Sequence, residues 1–252
     1  MNSYDQSMQF RTVLLTLIIF CTLGWGVHST VSSQIFVGLG GQAGFMNLPA
    51  ANAAVDFFNS QGFLIRRQNK FRWPTGLIYT AGYKDDDLLI ELSLNTKRHR
   101  TRAEFADGNQ IARREHRFVI QSISGTAGGA VVQQETFLLY LCGSLDFGMM
   151  RYRTRTGNSE TINRANFNTV NQQRFIGTTL SLRMVFRNAE DDFTHWTLAP
   201  YVQFPFAQFD FIRFNQTLNP FTWQQVGGES TSRAINYGMS LSFDFDLLEL
   251  LD

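Results

Sequence analysis

The segment that decides the fold is Tyr237-Gly-Met-Ser-Leu-Ser-Phe-Asp-Phe-Asp-Leu247, in which apolar residues alternate with small or acidic ones. Successive side chains of a β-strand point to opposite faces, so one face of this segment carries aromatic and aliphatic groups. The other face carries glycine, serines and carboxylates. The segment therefore predicts a strand that separates an apolar medium from a polar interior.

The same alternation recurs along the chain and predicts eight strands in all. The other clear examples lie at residues 88–95, 137–148, 176–186 and 196–206, and weaker ones at 34–46, 76–83 and 113–124. Eight is an even number and the smallest size at which a membrane barrel of such strands closes. A soluble β-sandwich is the alternative, because its strands alternate in the same way.

The lengths of the connections favour the membrane barrel. Long connections at about 47–75, 156–171 and 213–232 alternate with short ones at 84–87, 125–134 and 188–192, and a moderate turn lies at 105–111. Outer-membrane barrels have short periplasmic turns and longer outer loops. We therefore predict an all-β, up-and-down antiparallel transmembrane β-barrel of about eight strands, with both termini periplasmic.

The composition agrees with such a barrel. Charged residues make up 17% of the 252 residues, aromatic residues 14%, and 24 residues are Phe. A chain this aromatic, with a net charge of only +1, is not intrinsically disordered. The mean hydropathy of −0.15 is too polar for a bundle of membrane helices, but it suits strands with one polar face.

The N-terminus predicts export. Arg11 precedes an apolar run from Val13 to Val27, which is shorter than the roughly 20 residues of a spanning helix. We expect residues 1–33 to be a cleaved signal peptide and residues 34–252 to be the barrel domain, the alternative being a membrane anchor. Beyond residue 33 the sequence contains one cysteine, Cys142, which therefore has no intramolecular disulfide partner.

On these strands and loops the chain resembles the small outer-membrane barrels of the OmpA/OmpX type from Gram-negative bacteria. The pattern of residues 34–252 carries the resemblance, rather than a unique motif. It implies a place in the cell outer membrane. One departure is that such barrels often end on an aromatic residue, whereas here the tail 247–252 follows the aromatics of the last strand.

The charges are sorted between the two predicted ends of the barrel. The inner turns are acidic, and the predicted outer end is rich in arginine. Lipopolysaccharide fills the outer leaflet of an outer membrane, and its phosphates attract clustered guanidinium groups. We predict a lipopolysaccharide-binding surface formed by Lys97, Arg98, Arg100, Arg113, Arg114, Arg117, Arg151, Arg153 and Arg155. The alternative is a ring of arginines that snorkel at the rim without a specific ligand. No nucleic-acid partner is expected, because the run 97–100 continues a membrane strand.

The predicted lumen contains charges of both signs. Glu91, Asp146, Arg183 and Asp244 fall on inward positions, as does Gln121. Buried charges require partners, and an eight-stranded barrel is just wide enough to be filled by side chains. We therefore predict a lumen network that plugs the barrel. A channel for small solutes or a transporter of an apolar ligand is the alternative.

An enzymatic role would require one of the histidines to act as a general base. His99 and His116 could face each other near the outer rim, with Glu104 and Glu115 nearby, but no recognised catalytic motif surrounds them. The sequence predicts no catalytic residue, metal site or cofactor, and a lipid-modifying barrel enzyme is the less favoured alternative. The expected role is structural, or that of an accessory subunit of an envelope complex.

Three segments are candidate contacts for protein partners. Loop 47–75 contains the stretch Leu48–Asn59, which is predicted to be helical after Pro49 and could fold over the barrel mouth. Loop 213–232 carries aromatic residues that would be exposed unless covered. The tail 247–252 is the third.

Overall fold

The chain forms one ring of long strands, with two helices in its longest connections. The computed structural model describes residues 34–107, 110–158, 161–162, 164–188 and 191–247, so the predicted signal peptide and residues 248–252 of the tail lie outside the described residues. In chain order the elements are β1 (Gln34–Met46), α1 (Pro49–Ser60), β2 (Leu64–Arg66), β3 (Thr75–Lys84), β4 (Leu88–Asp107), β5 (Gln110–Gln134), β6 (Phe137–Asn158), β7 (Asn168–Asn188), β8 (Asp191–Pro205), β9 (Phe209–Asp210), α2 (Ile212–Leu218), a 3-10 turn (Trp223–Gln225), β10 (Thr231–Ser232) and β11 (Asn236–Asp246).

The predicted barrel is confirmed. Eight strands, β1, β3 to β8 and β11, pair antiparallel with their neighbours, and β11 closes the ring by pairing with β1. The register at the closure sets Val37 opposite Phe245 and Gly44 opposite Gly238. The first and last strands both have their free ends on the side of the short turns. Closure leaves no unpaired edge around the ring, which a sheet in lipid requires.

Alternation along each strand sets its two faces. Leu92, for example, is 57% exposed on the outside, while the adjacent Glu91 and Ser93 are buried in the lumen. We call the outward apolar residues of all eight strands the apolar belt. Its main members are Ile35, Val37, Leu39, Leu77, Tyr79, Ile90, Leu92, Leu94, Ile123, Leu141, Phe147, Ile176, Leu180, Leu182, Phe186, Trp196, Phe204, Tyr237, Met239 and Leu241.

Four strands are longer than the sequence predicted. The predicted turn at 125–134 is wrong, because β5 runs through Gln134. The predicted turn at 105–111 is too wide, because the β4–β5 hairpin extends to residues 107 and 110. A membrane crossing needs only about 9–11 residues, so β4 to β7 continue well beyond the belt on the side of the long loops. We call residues 97–107, 110–120, 150–158 and 168–174 of these strands the wall. No helix among the described residues is long and apolar enough to cross a membrane.

The long loops fold over the mouth of the barrel. The helix predicted after Pro49 is confirmed as α1, which packs against α2. The side-chain amide of Asn219 donates to the carbonyl of Ala54 at 3.2 Å and ties the two segments together. We call residues 47–74 and 206–235 the cap. Its buried apolar side chains, with those of the inner face of the wall, form the largest hydrophobic cluster of the described structure.

Close strand approach explains two of the glycines in the barrel. A Cβ at Gly76 would lie 1.6 Å from the carbonyl oxygen of Thr96 on β4, and one at Gly40 would lie 2.3 Å from that of Leu241 on β11. Either contact is far inside van der Waals distance, so a side chain at either position would push neighbouring strands apart.

Candidate functional site

The centre of the lumen contains a buried ion pair. Arg183 on β7 and Glu91 on β4 face each other across the barrel, and the guanidinium makes a bidentate contact with the carboxylate, with 2.6 Å between Nη2 and Oε1. Both side chains are buried. Two parallel hydrogen bonds between ionised groups are the strongest pairing these side chains make, and here they bridge opposite sides of the ring.

The other two predicted members of the lumen network, Asp146 and Asp244, have different hydrogen-bond partners among the described residues. Asp146 accepts hydrogen bonds from Thr179 at 2.6 Å and from Gln203 at 2.9 Å. Asp244 accepts from Thr197 at 2.6 Å and from Ser242 at 3.2 Å. Neutral hydroxyl and amide groups, rather than a second arginine, therefore bind these carboxylates.

Gln121 and Lys97 lie on faces other than those predicted. Gln121 is exposed on the outside, and the neighbouring Ser122 and Ser124 face the lumen instead. Lys97 was predicted to face lipid, but it is buried in the lumen, with its ammonium 4.2 Å from the ring centre of Tyr201. Strand parity explains this, because Lys97 is an even number of residues from the inward Glu91.

The remaining space in the lumen is small. A cavity of about 40 Å³ lies between the Arg183 and Lys97 levels and is lined mainly by serine, threonine and amide groups. That volume holds about three water molecules. The described side chains therefore leave room for a few waters in this cavity.

Aromatic packing fills the mouth above this polar section. Phe214 of α2 lies 4.6 Å from Tyr152 and 5.7 Å from both Phe71 and Phe118, measured between ring centres. His116 stacks on Tyr152 and is hydrogen-bonded to its hydroxyl through Nδ1. The aromatic side chains of the cap thus pack against the inner face of the wall.

The two histidines do not form a catalytic pair. His99 is opposite Phe118 in the strand register, and its Nδ1 lies 2.8 Å from the carbonyl oxygen of Trp73. His116, above the belt, is fully buried, and its burial, followed by the charge of Arg114, lowers its pKa to about 3. Glu115 points to the opposite face of β5. His116 is therefore neutral and has no carboxylate beside it among the described residues.

Strand alternation divides the predicted basic surface. Arg114 points inward, and its Nη1 donates to the carbonyl of Thr217 in α2 at 3.2 Å, so it holds the cap rather than a lipid. Lys97 is in the lumen. The other seven predicted residues lie on the outer face of the wall, together with Arg102. They are Arg98, Arg100, Arg113, Arg117, Arg151, Arg153 and Arg155.

These arginines form rows across adjacent strands. Arg100, Arg117 and Arg153 are direct neighbours in register on β4, β5 and β6. The row nearer the belt contains Arg98 and Arg151 on either side of Val119. The row farther from the belt contains Arg102, Glu115 and Arg155.

Two carboxylates neutralise part of this surface. Glu115 accepts from Arg155 at 2.6 Å and also pairs with Arg100. Burial raises the pKa of Glu115, but the hydrogen bonds from the two arginines outweigh it, so the pKa lies below its usual value. Glu104 pairs with Arg102 and, at 3.1 Å, with Arg113. The hydrogen bond from Arg102 is the main cause that lowers the pKa of Glu104.

An aromatic residue that sequence reasoning missed completes the surface. Phe167, just before β7, places its ring centre 4.0 Å from the Arg117 guanidinium and 4.5 Å from that of Arg155. A guanidinium stacked on a ring keeps its N–H edge free for an anion. Across the described parts of the chain, no group of three or more His, Cys, Asp and Glu residues could hold a metal ion.

Comparison with known proteins gives similarity in fold only. No protein-family model and no curated protein matches the chain. Neisserial surface protein A is 12% identical, with a TM-score of 0.43 over 87% of this chain and 100% of that one. Ail of Yersinia pestis, solved with the heparin analogue sucrose octasulfate, is 10% identical, with a TM-score of 0.40 over 85% and 97%. The N-terminal β-barrel domain of Pseudomonas aeruginosa OprF is 13% identical, with a TM-score of 0.30 over 85% and 100%.

The strand number and pairing agree with the resemblance found in the sequence. The chain has the eight-stranded antiparallel ring of the small barrels of the OmpA/OmpX type, and that resemblance is confirmed at the level of the fold. At these identities the role of the chain depends on its own surface and lumen.

Proposed function

We propose that this chain is an integral outer-membrane β-barrel with a plugged lumen and a non-enzymatic, structural or accessory role in the envelope. The observation that carries the proposal is the apolar belt around a closed ring. Leucine, isoleucine and aromatic side chains are about half exposed on all eight strands, while the inward neighbours are polar and buried. Such a surface would aggregate in water, and it is suited to hydrocarbon.

The plugged lumen is supported by its contents. The Arg183–Glu91 pair bridges the middle of the barrel, and the aromatic cap fills the mouth. A solute would have to break a buried ion pair and displace packed aromatic rings. A diffusion channel is therefore the weaker candidate.

The non-enzymatic role is supported by the chemistry of the buried groups. General acid–base catalysis needs a group that reaches the substrate and titrates near the working pH. His116 is enclosed by the cap and has a pKa of about 3, and His99 is hydrogen-bonded to a backbone carbonyl. Neither histidine has the partners of a lipid-modifying site among the described residues.

The lipid partner proposed is lipopolysaccharide, which the arginines on the outer face of the wall would contact. Loop 213–232 supplies a second candidate contact, because Phe221 is 97% exposed on the cap and is available to an accessory protein. The tail 247–252, of which only Leu247 is described, stays a candidate as the sequence predicted it.

The experiment that tests the proposal is heat-modifiable migration combined with extraction. We expect the unboiled protein from outer membranes to migrate differently in SDS from the boiled protein and to resist carbonate extraction. A closed sheet without edges resists detergent unfolding, which is the physical reason. Identical migration of both samples, together with release by carbonate, would contradict membrane integration.

A further inference from the structure

We propose that the outer face of the wall binds one phosphorylated glycolipid at two heights. Arg98 and Arg151 hold the phosphate nearer the membrane, and Arg117 and Arg153 hold a second one farther out. The inference rests on the proposed membrane placement and deepens it, because it names the ligand chemistry, the residues and their order from the membrane.

The first observation is a row of like charges that the chain neutralises only in part, through the pairing of Glu115 with Arg100. Arg100, Arg117 and Arg153 stand side by side on three strands, which are about 4.8 Å apart in a sheet. Like charges directly opposite on paired strands are destabilising. Because Arg100 is paired with Glu115, an additional anion would be most stabilising between Arg117 and Arg153.

The second observation is the distribution of the available anions. Glu115 is shared by Arg100 and Arg155, and Glu104 is taken by Arg102 and Arg113. These carboxylates lie in the rows farther from the belt.

The two remaining arginines of the middle row have no carboxylate partner among the described residues. Arg117 stacks on Phe167, which orients its guanidinium but supplies no charge. The Nε atom of Arg153 is buried and has no hydrogen-bond partner in the described structure. A phosphate between Arg117 and Arg153 would accept from both guanidinium groups and relieve their repulsion.

The third observation is the height of each row above the belt. The last apolar row consists of Leu94, Ile123 and Phe147, which are in register. Each further outward row is two residues along the strand, or about 5 Å of height once the strand tilt is included. Measured along each strand from its last belt residue, Arg98 and Arg151 are two such steps out, at about 10 Å, and Arg117 and Arg153 are three steps out, at about 15 Å.

These heights distinguish between two kinds of lipid. The headgroup layer of an ordinary bilayer adds only about 5–8 Å to each side of the hydrocarbon core. A phospholipid phosphate therefore reaches the lower row at most. A glycolipid with phosphates on an extended saccharide headgroup reaches both rows, so lipopolysaccharide is the lipid that this geometry fits.

The test compares two double variants that lose the same charge. Arg117→Gln/Arg153→Gln removes the upper pair and leaves Glu115 with its partners. Arg213→Gln/Arg233→Gln is the matched control, because both arginines are exposed on the cap and neither belongs to the rows of the wall. Both proteins are refolded in detergent and accepted only if they show heat-modifiable migration, which separates a failure of this inference from a failure of the proposed function.

The measurement is the dissociation constant for fluorescent lipopolysaccharide in mixed micelles. We expect the Arg117/Arg153 variant to bind about a hundredfold more weakly, about tenfold for each charge-assisted hydrogen-bonding partner lost, and the control to stay within about twofold of the parent. Equal affinity of parent and variant, or equal weakening in the control, would overturn the site.

Two further arms identify the source of the phosphate. Lipopolysaccharide stripped of its phosphates should bind the parent no better than the variant. Phosphatidylglycerol and inorganic phosphate should not displace the labelled lipid at matched phosphate concentration. Displacement by phosphatidylglycerol or by inorganic phosphate, if it depends on Arg117 and Arg153, would overturn the glycolipid assignment.

Discussion

Replacing Arg183 by Met isolates the energetic role of the lumen ion pair. The substitution keeps much of the side-chain volume and leaves the Glu91 carboxylate, which is fully buried, without its bidentate partner. Breaking a buried pair from one side costs about 3–5 kcal/mol, because the remaining charge is neither solvated nor paired. We expect the free energy of unfolding to fall by about that amount.

Two further variants separate the cost of an unpaired charge from other effects of replacing Arg183. In Glu91→Leu/Arg183→Met both charges are gone, and such replacements are often neutral or stabilising, so we expect stability near that of the parent. Arg187→Met is the matched control. Its partner Asp86, 3.0 Å away, has a side chain that is 39% exposed, and such a pair contributes at most about 1 kcal/mol.

The assay is equilibrium unfolding by urea of the barrel refolded in lipid vesicles, followed by tryptophan fluorescence, with planar-bilayer conductance of the same proteins. The parent should conduct negligibly, and Arg183→Met should be the variant with the largest leak. Equal destabilisation of the single and double variants would show that packing, rather than charge, is responsible. Large stable currents from the parent would refute the plugged lumen.

Three other predictions concern the wall and the pairing of β3 with β4. The pKa of His116 is about 3 in the folded protein and about 6.5 in the unfolded chain, so the free energy of unfolding should fall as the pH drops below 6.5, by up to about 1.4 kcal/mol per pH unit. His116→Phe should flatten this slope in urea midpoints measured between pH 6.5 and 4.5. An unchanged slope would contradict the burial of a neutral imidazole. Glu115→Gln leaves Arg100 and Arg155 without their shared carboxylate, so it should lower the free energy of unfolding by about 1–3 kcal/mol in detergent. Added lipopolysaccharide should then raise the melting temperature of this variant by more than it raises that of the parent. An equal or smaller rise would contradict the requirement of the wall for an anion. Gly76→Ala should slow or block barrel closure, seen as loss of the unboiled band in SDS, because its Cβ would meet a strand backbone; normal folding would show that β3 and β4 can separate there.

The strands were predictable where their two faces meet different surroundings. Apolar and polar residues alternate through β11 and through the first half of β4, so the period of two reveals both the strand and the side chains that point inward. In the wall the pattern disappears, because the outer face carries arginines and the inner face packs against the cap. The predicted turn at 105–111 therefore includes residues 105–107, which continue β4.

The division of the basic residues was partly predictable. The same parity that sets Glu91 in the lumen sets Lys97 there, and it separates Arg114 from Arg113 and Arg117 on β5. The runs of basic residues on β4 and β5 are therefore each divided between the two faces of the strand and do not form one surface. Parity alone would have corrected both assignments.

Contacts between side chains across the barrel could not be predicted from the sequence. That Arg183 meets Glu91, whereas Asp146 meets Thr179 and Gln203, depends on strand stagger and on which opposite strand each side chain reaches. The contact of Phe167 with two arginines depends on the path of a loop, and no periodicity describes it.

A spin-label scan of residues 89–95 on β4, in a Cys142→Ala background, tests whether this ring of strands faces lipid outside and a closed polar lumen inside. Collision rates with oxygen and with a water-soluble nickel complex would be measured for each label in vesicles. We expect high oxygen and low nickel access at residues 90, 92 and 94, and low access to both at 91 and 93. Loss of this alternation, or nickel access at Leu92 equal to that of a label on an exposed loop, would contradict it.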